Sequence, residues 1–499
     1  MMLRIRNIFL IYTVFMPAVA LSQPISLAEV ILETFANSPG LPISQLGKDF
    51  AKADQMRIEG MLDPNVSARI GYSDEKVPTT SPFAANKTQF GQLTGAITKP
   101  LQDGSSLTGS LNYNRTRLGY PSSVPSTFQS TVNPIYQNQI DLTYRYPLLR
   151  GHGNPAYHEQ MSASKQDEKA ANWRVEMLKE QLAEQATQLY FQLAADDLSL
   201  TLAKDAVQRA EKLLRYQKMR EQFGLIERAD RLQAEALLAT RRMEQSLAES
   251  RSRQGRTNLN RLMLRNPGAP LEPDLNMGLF STDTTDVEPL DRLLADAEKV
   301  RPEFRALEAT LAASSDRLTA ARDQHETQID LVGQVGSRAL DSAAGRALGQ
   351  GFTLNDRFAS LSIELSDTIT GNTTRASIKQ AELSRQQAML EQLQLRESVK
   401  SRLANAVTTL NSSHTIVAAA NRRAKAETNK FNAEMTRYRN GRSDTATIIQ
   451  FEGELRNAEL QAAIQQVSLR LATHQLALAR GTLLPALYSS EIKQGSANP

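Results

Sequence analysis

The chain has 499 residues, of which 40% are hydrophobic, 6% aromatic and 22% charged, lean for two or three compact cores and better suited to an elongated, helix-rich molecule. It contains no cysteine, which excludes disulfides, zinc–thiolate clusters, thiol nucleophiles and cysteine-linked lipid anchors. The formal charge of +4 falls to about +2 when Arg4 and Arg6 are set aside with the leader described next, leaving 56 of 58 basic residues against 54 acidic ones, an excess too small to argue for nucleic acid as a partner.

Residues 1–20 place Arg4 and Arg6 before a mostly apolar run, Ile8 to Met16, then a break at Pro17 and the small residues Ala18-Val19-Ala20. This order predicts a secretory signal peptide cleaved near Ala20. The apolar run is well short of the roughly 20 residues that a spanning helix needs, and no later segment is apolar enough to span a bilayer as a helix. If the mature protein enters a membrane, it does so as a closed barrel.

Residues 21–63 read as lead-in helices. One runs from Ser26 to Asn37 on Leu27, Val30, Ile31 and Phe35; a second runs from Ile43 to about Met61 and ends before Asp63-Pro64. Over residues 64–150 the apolar period changes to two. Val66, Ala68, Ile70 and Tyr72 alternate with Ser67, Arg69 and Gly71; Leu107, Gly109, Leu111 and Tyr113 alternate with Thr108, Ser110 and Asn112; Ile140, Leu142, Tyr144 and Tyr146 alternate with polar residues. A weaker strand covers about Gln89 to Thr98, and Asp103-Gly104 marks a turn. Val77–Lys87 and Tyr120–Pro134 read as exposed loops. Such strands fit a soluble sandwich, with the apolar face packed on a second sheet, or an outer-membrane barrel, with that face on lipid and the polar face on water. Periodicity alone leaves both open.

Residues 151–266 predict a long helical hairpin: one helix to about Gln222, a tip at Gly224, and a return from about Arg228 to Leu264. Its stripe includes Val175, Leu182, Ala186, Leu193, Ala203, Val207 and Leu214, advancing mostly by threes and fours as coiled-coil packing requires. A linker (267–289) leads to a second half with the same plan. It has a helix over 290–325 with Arg301-Pro302 inside it, and a β segment over 326–370 with strands at Ile329–Val335 and Ala359–Ser366 joined by a Gly/Ala-rich loop. A second long hairpin (371–484) has its tip at Gly441, and a tail covers 485–499. Laying Gly224 on Gly441, a displacement of 217 residues (441 − 224), also lays Arg220 on Arg437, Ala229 on Ala446, Gln233 on Gln450, Glu235 on Glu452 and Leu238 on Leu455. The chain reads as an internal duplication.

Three stretches then resemble the outer-membrane factor family, the TolC-like exit ducts of Gram-negative efflux pumps and type I secretion systems. Pro147-Leu148-Leu149-Arg150-Gly151-His152-Gly153 resembles the family's strand-to-helix junction, Arg301-Pro302-Glu303 the start of its second half, and Tyr438-Arg439-Asn440-Gly441-Arg442-Ser443 its hairpin tip. With the order of elements, the resemblance covers about Leu27 to Leu484. It implies an all-α plus membrane β-barrel fold: long helical hairpins forming a trimeric periplasmic tunnel topped by a shared 12-stranded β-barrel, four strands from each chain. It also implies a homotrimer in outer-membrane lipid, coupled to a periplasmic adaptor (membrane fusion) protein and an inner-membrane transporter. The sequence departs from the family pattern in three places. The first half has four strand signals rather than two, so one hairpin is extra, either outside the barrel or extending it. The second junction, Ser366-Asp367-Thr368-Ile369-Thr370-Gly371, lacks proline. In the family, acidic residues just after the second tip glycine ring the closed end; here Thr447 and Gln450 stand at those positions.

The chain carries no catalytic motif, and no cofactor or metal is expected. His152, His158, His325, His414 and His474 lack metal-ligand spacing. Ser162-Ala163-Ser164-Lys165 matches S-x-x-K without its partner motifs. Gly151 and Gly153 lack the third glycine and the βαβ setting of a phosphate loop and read as a tight turn. The candidate functional residues are those of the tips: Gly224 and Asp230, then Arg437, Tyr438, Gly441, Arg442, Asp444, Thr447 and Gln450. They fit a solvated turn, with Asp444 capping the next helix, and equally a gate in which contacts between hairpins hold a tunnel shut. The expected function is a passive channel, with a periplasmic or surface coiled-coil scaffold as the alternative.

Overall fold

The computed structural model describes residues 24–76, 78–274, 288–353 and 355–495; the expected signal peptide and the middle of the expected linker (275–287) lie outside them. Two compact units divide the chain, one holding residues 43–176 and 302–396, the other residues 1–42, 177–301 and 397–499.

The first unit holds one antiparallel sheet of six strands in sequence order: β1 (Asn65–Lys76), β2 (Lys87–Pro100), β3 (Ser106–Gly119), β4 (Ile135–Pro147), β5 (Gln328–Asp341) and β6 (Arg357–Ser366). The resemblance implies four strands from each chain; the sheet has six, and all four first-half signals are strands of it. The register places the alternating apolar residues on one face. Val66 lies beside Ile97, Ile97 beside Gly109, Gly109 beside Leu142, Leu142 beside Val335 and Val335 beside Ala359. Many of these side chains are exposed, among them Val66, Ile97, Leu142, Val335, Leu361 and Ile363.

The opposite face is polar and bonded to itself. The buried Asp141 carboxylate accepts from Ser110 Oγ (2.9 Å), Gln139 Nε2 (3.1 Å) and Gln334 Nε2 (3.0 Å), and Arg145 pairs with Asp330 (2.6 Å) and Glu364 (2.7 Å).

In chain order, the helices carry three corrections to the sequence expectations. α1 (Leu27–Asn37), α2 (Gly40–Glu59), α3 (Pro155–Gln222) and α4 (Arg228–Leu262) come first; α1 starts in a reciprocal capping box between Ser26 and Glu29. The helix expected over 290–325 is two, α5 (Leu290–Val300) and α6 (Pro302–Asp323). Arg301 between them is extended (φ −68°, ψ 130°) because a proline excludes helical backbone in the residue before it. The Gly/Ala-rich connection expected as loop contains α7 (Ala344–Phe352). A local cap and two tertiary contacts outweigh its weak propensity: Asp341 accepts from the Ala343 N–H (2.8 Å) and pairs with Arg346 (3.0 Å), Tyr113 donates to the Ala344 carbonyl (3.2 Å), and Asn138 donates to that of Leu348 (3.3 Å). Last come α8 (Asn372–Arg439), α9 (Thr445–Arg480) and α10 (Leu483–Gly495). α10 occupies most of the expected tail, after Gly481 closes α9 in the left-handed region (φ 75°).

The second unit's main core gathers Leu27, Val30, Ile31, Leu193, Leu259, Met263, Leu483 and Leu487. Buried Tyr190 donates from its hydroxyl to the carbonyls of Ile25 (3.0 Å) and Asp274 (2.8 Å); burial pushes its pKa upward. Among the described residues no helix is long and apolar enough to cross a membrane.

Candidate functional site

Each hairpin turns on one glycine. Gly224 and Gly441 take φ of 66° and 68°, the left-handed region that a side chain makes costly. Both turns close with the same backbone bonds. The Leu225 N–H donates to the Arg220 carbonyl (2.9 Å) and the Arg442 N–H to the Arg437 carbonyl (2.9 Å), while the glycine N–H donates to Glu221 (2.9 Å) and to Tyr438 (3.1 Å) respectively. Sequence positions 217 apart therefore perform the same capping task at both tips.

Above the turns, α3, α4, α8 and α9 bury Val207, Leu213, Leu214, Leu237, Leu238, Phe431, Ile448 and Leu455. Tyr438 belongs to this core and is 1% exposed. Its hydroxyl meets Gln217 Nε2 and Thr445 Oγ1 (3.2 Å), and Gln217 Nε2 also donates to Thr445 Oγ1 (2.8 Å). The ring packs edge-on against Tyr216 at 5.8 Å, and the Arg220 guanidinium lies 5.4 Å from its centroid. Tyr438 thus ties the second tip to α3 of the first hairpin through a polar contact placed in an apolar core, where losing a partner is expensive.

About two turns of α9 further on, charge does the same work. Buried Arg241 of α4 donates to Glu452 of α9 through Nη2 (2.6 Å) and Nε (3.0 Å), and to Glu244 through Nη1 (2.9 Å). Glu452 also meets Arg209 of α3 (3.4 Å), whose other arm reaches Glu459 (3.0 Å), and Arg456 of α9 reaches Glu244 (3.2 Å). Burial alone would lower the Arg241 pKa, but the charge of Glu452 and its hydrogen bonds raise it, so the guanidinium keeps its charge. Within the first hairpin Arg231 joins Glu221 (2.8 Å), and within the second Lys430 pairs with Glu454.

The remaining candidates divide between capping and surface. Asp444 is the N-cap of α9, accepting from the Thr447 N–H (2.7 Å) and hydroxyl (3.0 Å); the Thr447 backbone bond, then its hydroxyl, holds the Asp444 carboxyl below its usual range. Asp230 lies in the first turn of α4, Arg437 pairs with Glu434 (3.3 Å), Gln450 donates to Glu454 (2.9 Å), and Arg442 is exposed. Of these candidates only Tyr438 is buried between the hairpins. Sequence reasoning did not pick out Gln217, Tyr216, Thr445 or the Arg209–Arg241–Glu452 network, although Glu235 and Glu452 match in the repeat; a carboxylate amid a Leu-rich helical stripe was the available signal. Among the described residues no group of three or more His, Asp or Glu side chains is placed to hold a metal ion.

At the strand-to-helix junction, Gly151 and Gly153 take φ of 83° and 69° after buried Pro147. The Gly151 N–H donates to both oxygens of Asp323 (3.2 Å each), and the Gly153 N–H to the Asp103 carbonyl (3.2 Å) in the β2–β3 turn. The chain between β4 and α3 is thus a hydrogen-bonded turn.

The sequence matches no protein-family model and none of the curated proteins; its structure does find relatives. The outer-membrane channel OprN superposes with a TM-score of 0.66 at 18% identity, over 91% of this chain and 90% of that one. The CmeC outer-membrane channel of Campylobacter jejuni gives 0.60 at 15% identity, over 94% and 88%. The MtrE outer-membrane channel of Neisseria gonorrhoeae, in its open state, gives 0.58 at 18% identity, over 91% and 88%. The chain thus has the TolC-like fold of these three outer-membrane channels.

Proposed function

We propose that the protein is a passive outer-membrane channel: a homotrimer whose copies close one barrel in outer-membrane lipid and extend paired hairpins into the periplasm. There a periplasmic adaptor protein joins it to an energised inner-membrane transporter. The exported material is a small toxic compound or a polypeptide. The observation that carries the reading is the sheet, which has one exposed apolar face, one self-bonded polar face and two edge strands, β1 and β6, with no partner among the described residues. In lipid such edges leave backbone groups unsatisfied, and closure by further copies satisfies them. The helices support the same arrangement: α2 carries Ile43 (67% exposed), Leu46 and Phe50 (74% exposed) at spacings of three and four, and α8 carries exposed Leu383, Leu390 and Leu393, stripes that a neighbouring copy would cover.

The matched tips follow from an internal duplication that gives each chain two hairpins. In the trimer the tips converge, and the contacts of Tyr438, Arg437, Arg442, Asp444 and Asp230 hold the duct shut until the adaptor and transporter shift the balance. The test is fractionation of bacterial envelopes followed by electrophoresis without heating. The reading predicts a species that needs detergent and runs as a trimer that heat converts to monomer. A water-soluble monomer would sink it.

A further inference from the structure

We infer that all six strands of this chain belong to the barrel wall, so that three copies close an eighteen-stranded barrel rather than a twelve-stranded one. The inference rests on the homotrimeric reading above and adds to it the size of the pore.

Three observations exclude the view that the additional hairpin hangs outside the wall. First, the apolar rows run unbroken through it. Val66 and Ile97 continue the row of Gly109, Leu142 and Val335; Ala68 and Gly95 continue that of Leu111 and Ile140. Val66 is 71% and Ile70 84% exposed, and a soluble appendage would not present such side chains, in register, on the same face as its neighbours. Second, pairing is continuous: β1 joins β2 over all of Asn65–Lys76, and β2 joins β3 over Lys87–Pro100. Removing β1 and β2 from the wall would break the β2–β3 ladder and bare the β3 edge in lipid.

Third, the turn joining β2 to β3 is locked into the strand-to-helix junction. Asn154 Nδ2 donates to the Leu101 carbonyl (3.3 Å), and the Gly153 N–H to that of Asp103 (3.2 Å). Gly104 (φ 86°) lies so close that a Cβ there would meet the Gly151 carbonyl oxygen at 2.1 Å.

An even strand count also lets copies join head to tail, because β1 and β6 run antiparallel and every new pairing in the closed wall remains antiparallel. With strands about 4.8 Å apart and tilted about 40°, eighteen strands close at a backbone radius of about 18 Å, against about 12 Å for twelve. The wider wall leaves an aqueous lumen lined by the Asp141 and Arg145 clusters, suited to bulky polar or polymeric cargo.

The absence of cysteine provides a clean background for the test. Single cysteines in β1 (Ser67→Cys, Arg69→Cys, Ser73→Cys) are combined with single cysteines in β6 (Ser360→Cys, Ser362→Cys). A parallel set combines the same β6 positions with β3 (Thr108→Cys, Ser110→Cys, Asn112→Cys). Each variant is first run unheated to score trimers, then oxidised in the membrane. The eighteen-stranded wall predicts that at least one β1–β6 pair gives a covalent ladder ending at the trimer and that no β3–β6 pair does. Trimers whose β6 cysteines cross-link to β3, or to neither strand, overturn the inference and leave the channel reading standing. Failure of the unsubstituted chain to form trimers sinks that reading and the inference with it.

Discussion

The buried ion pair between the hairpins makes an asymmetric prediction. Arg241→Met strips Glu452, 3% exposed at its side chain, of its two shortest contacts (2.6 and 3.0 Å), leaving Arg209 at 3.4 Å as its remaining cation. An under-compensated buried carboxylate costs about 3–5 kcal/mol. Glu452→Gln is milder, because Arg241 keeps Glu244 (2.9 Å) and Arg209 keeps Glu459 (3.0 Å); a weakened set of buried hydrogen bonds costs about 1–3 kcal/mol. Hydrogen exchange of α4 and α9 amides in detergent reads the difference. Arg241→Met is expected to speed exchange around the network by about two to three and a half orders of magnitude, and Glu452→Gln by about one to two, at roughly 1.4 kcal/mol per factor of ten. Equal effects, or a larger one from Glu452→Gln, would refute the argument that an uncompensated charge dominates.

Tyr438→Phe removes one of the two hydroxyl partners of buried Gln217, leaving Thr445 Oγ1 (2.8 Å), and should cost about 1 kcal/mol, seen as faster proteolysis at the tips with barrel stability unchanged. Gly104→Ala should abolish trimer yield, since its Cβ collides with the Gly151 carbonyl oxygen, whereas Gly441→Ala, with nothing within 4 Å of its Cβ, pays about 1–2 kcal/mol of backbone strain; unheated gels separate the two. Asp444 caps α9 with a pKa below its usual 3.8. A depressed carboxylate pKa gives stability that is complete above the unfolded value and lost as pH falls through the folded one, so Thr447 amide protection should fall on acidification below about pH 4 and be low at all pH values in Asp444→Ala. His474 is held below 6.5, chiefly by burial, although the Arg470 carbonyl opposes this. The same sign makes the surrounding helices less stable as pH falls below about 6.5, a dependence that His474→Phe should remove.

Much of the fold was legible because long helices and alternating strands write their period into the chain. The tips were legible because only glycine fits φ near +67° without strain, and Gly224 and Gly441 stand out in runs otherwise poor in glycine. Three features were hidden for physical reasons. Arg301-Pro302 lies inside one helical pattern over 290–325, yet proline forces Arg301 to extend. α7 has Gly345, Gly349 and Gly351 in a weak helix former and, beyond the local cap from Asp341, is held by Tyr113 and Asn138, contacts 231 and 210 positions away. The role of Gln217 depends on Tyr438, 221 positions away, and no local pattern reports such a pairing. The six-stranded sheet was half visible: four first-half strand signals were read, but only the register shows that they share one apolar face.

Planar-bilayer recording of the purified, unheated protein tests the central claim most directly. A passive duct predicts discrete conductance steps that need no nucleotide and grow or open more often when the tip is loosened by Tyr438→Phe. A trimer that inserts and never conducts, in either form, would contradict it.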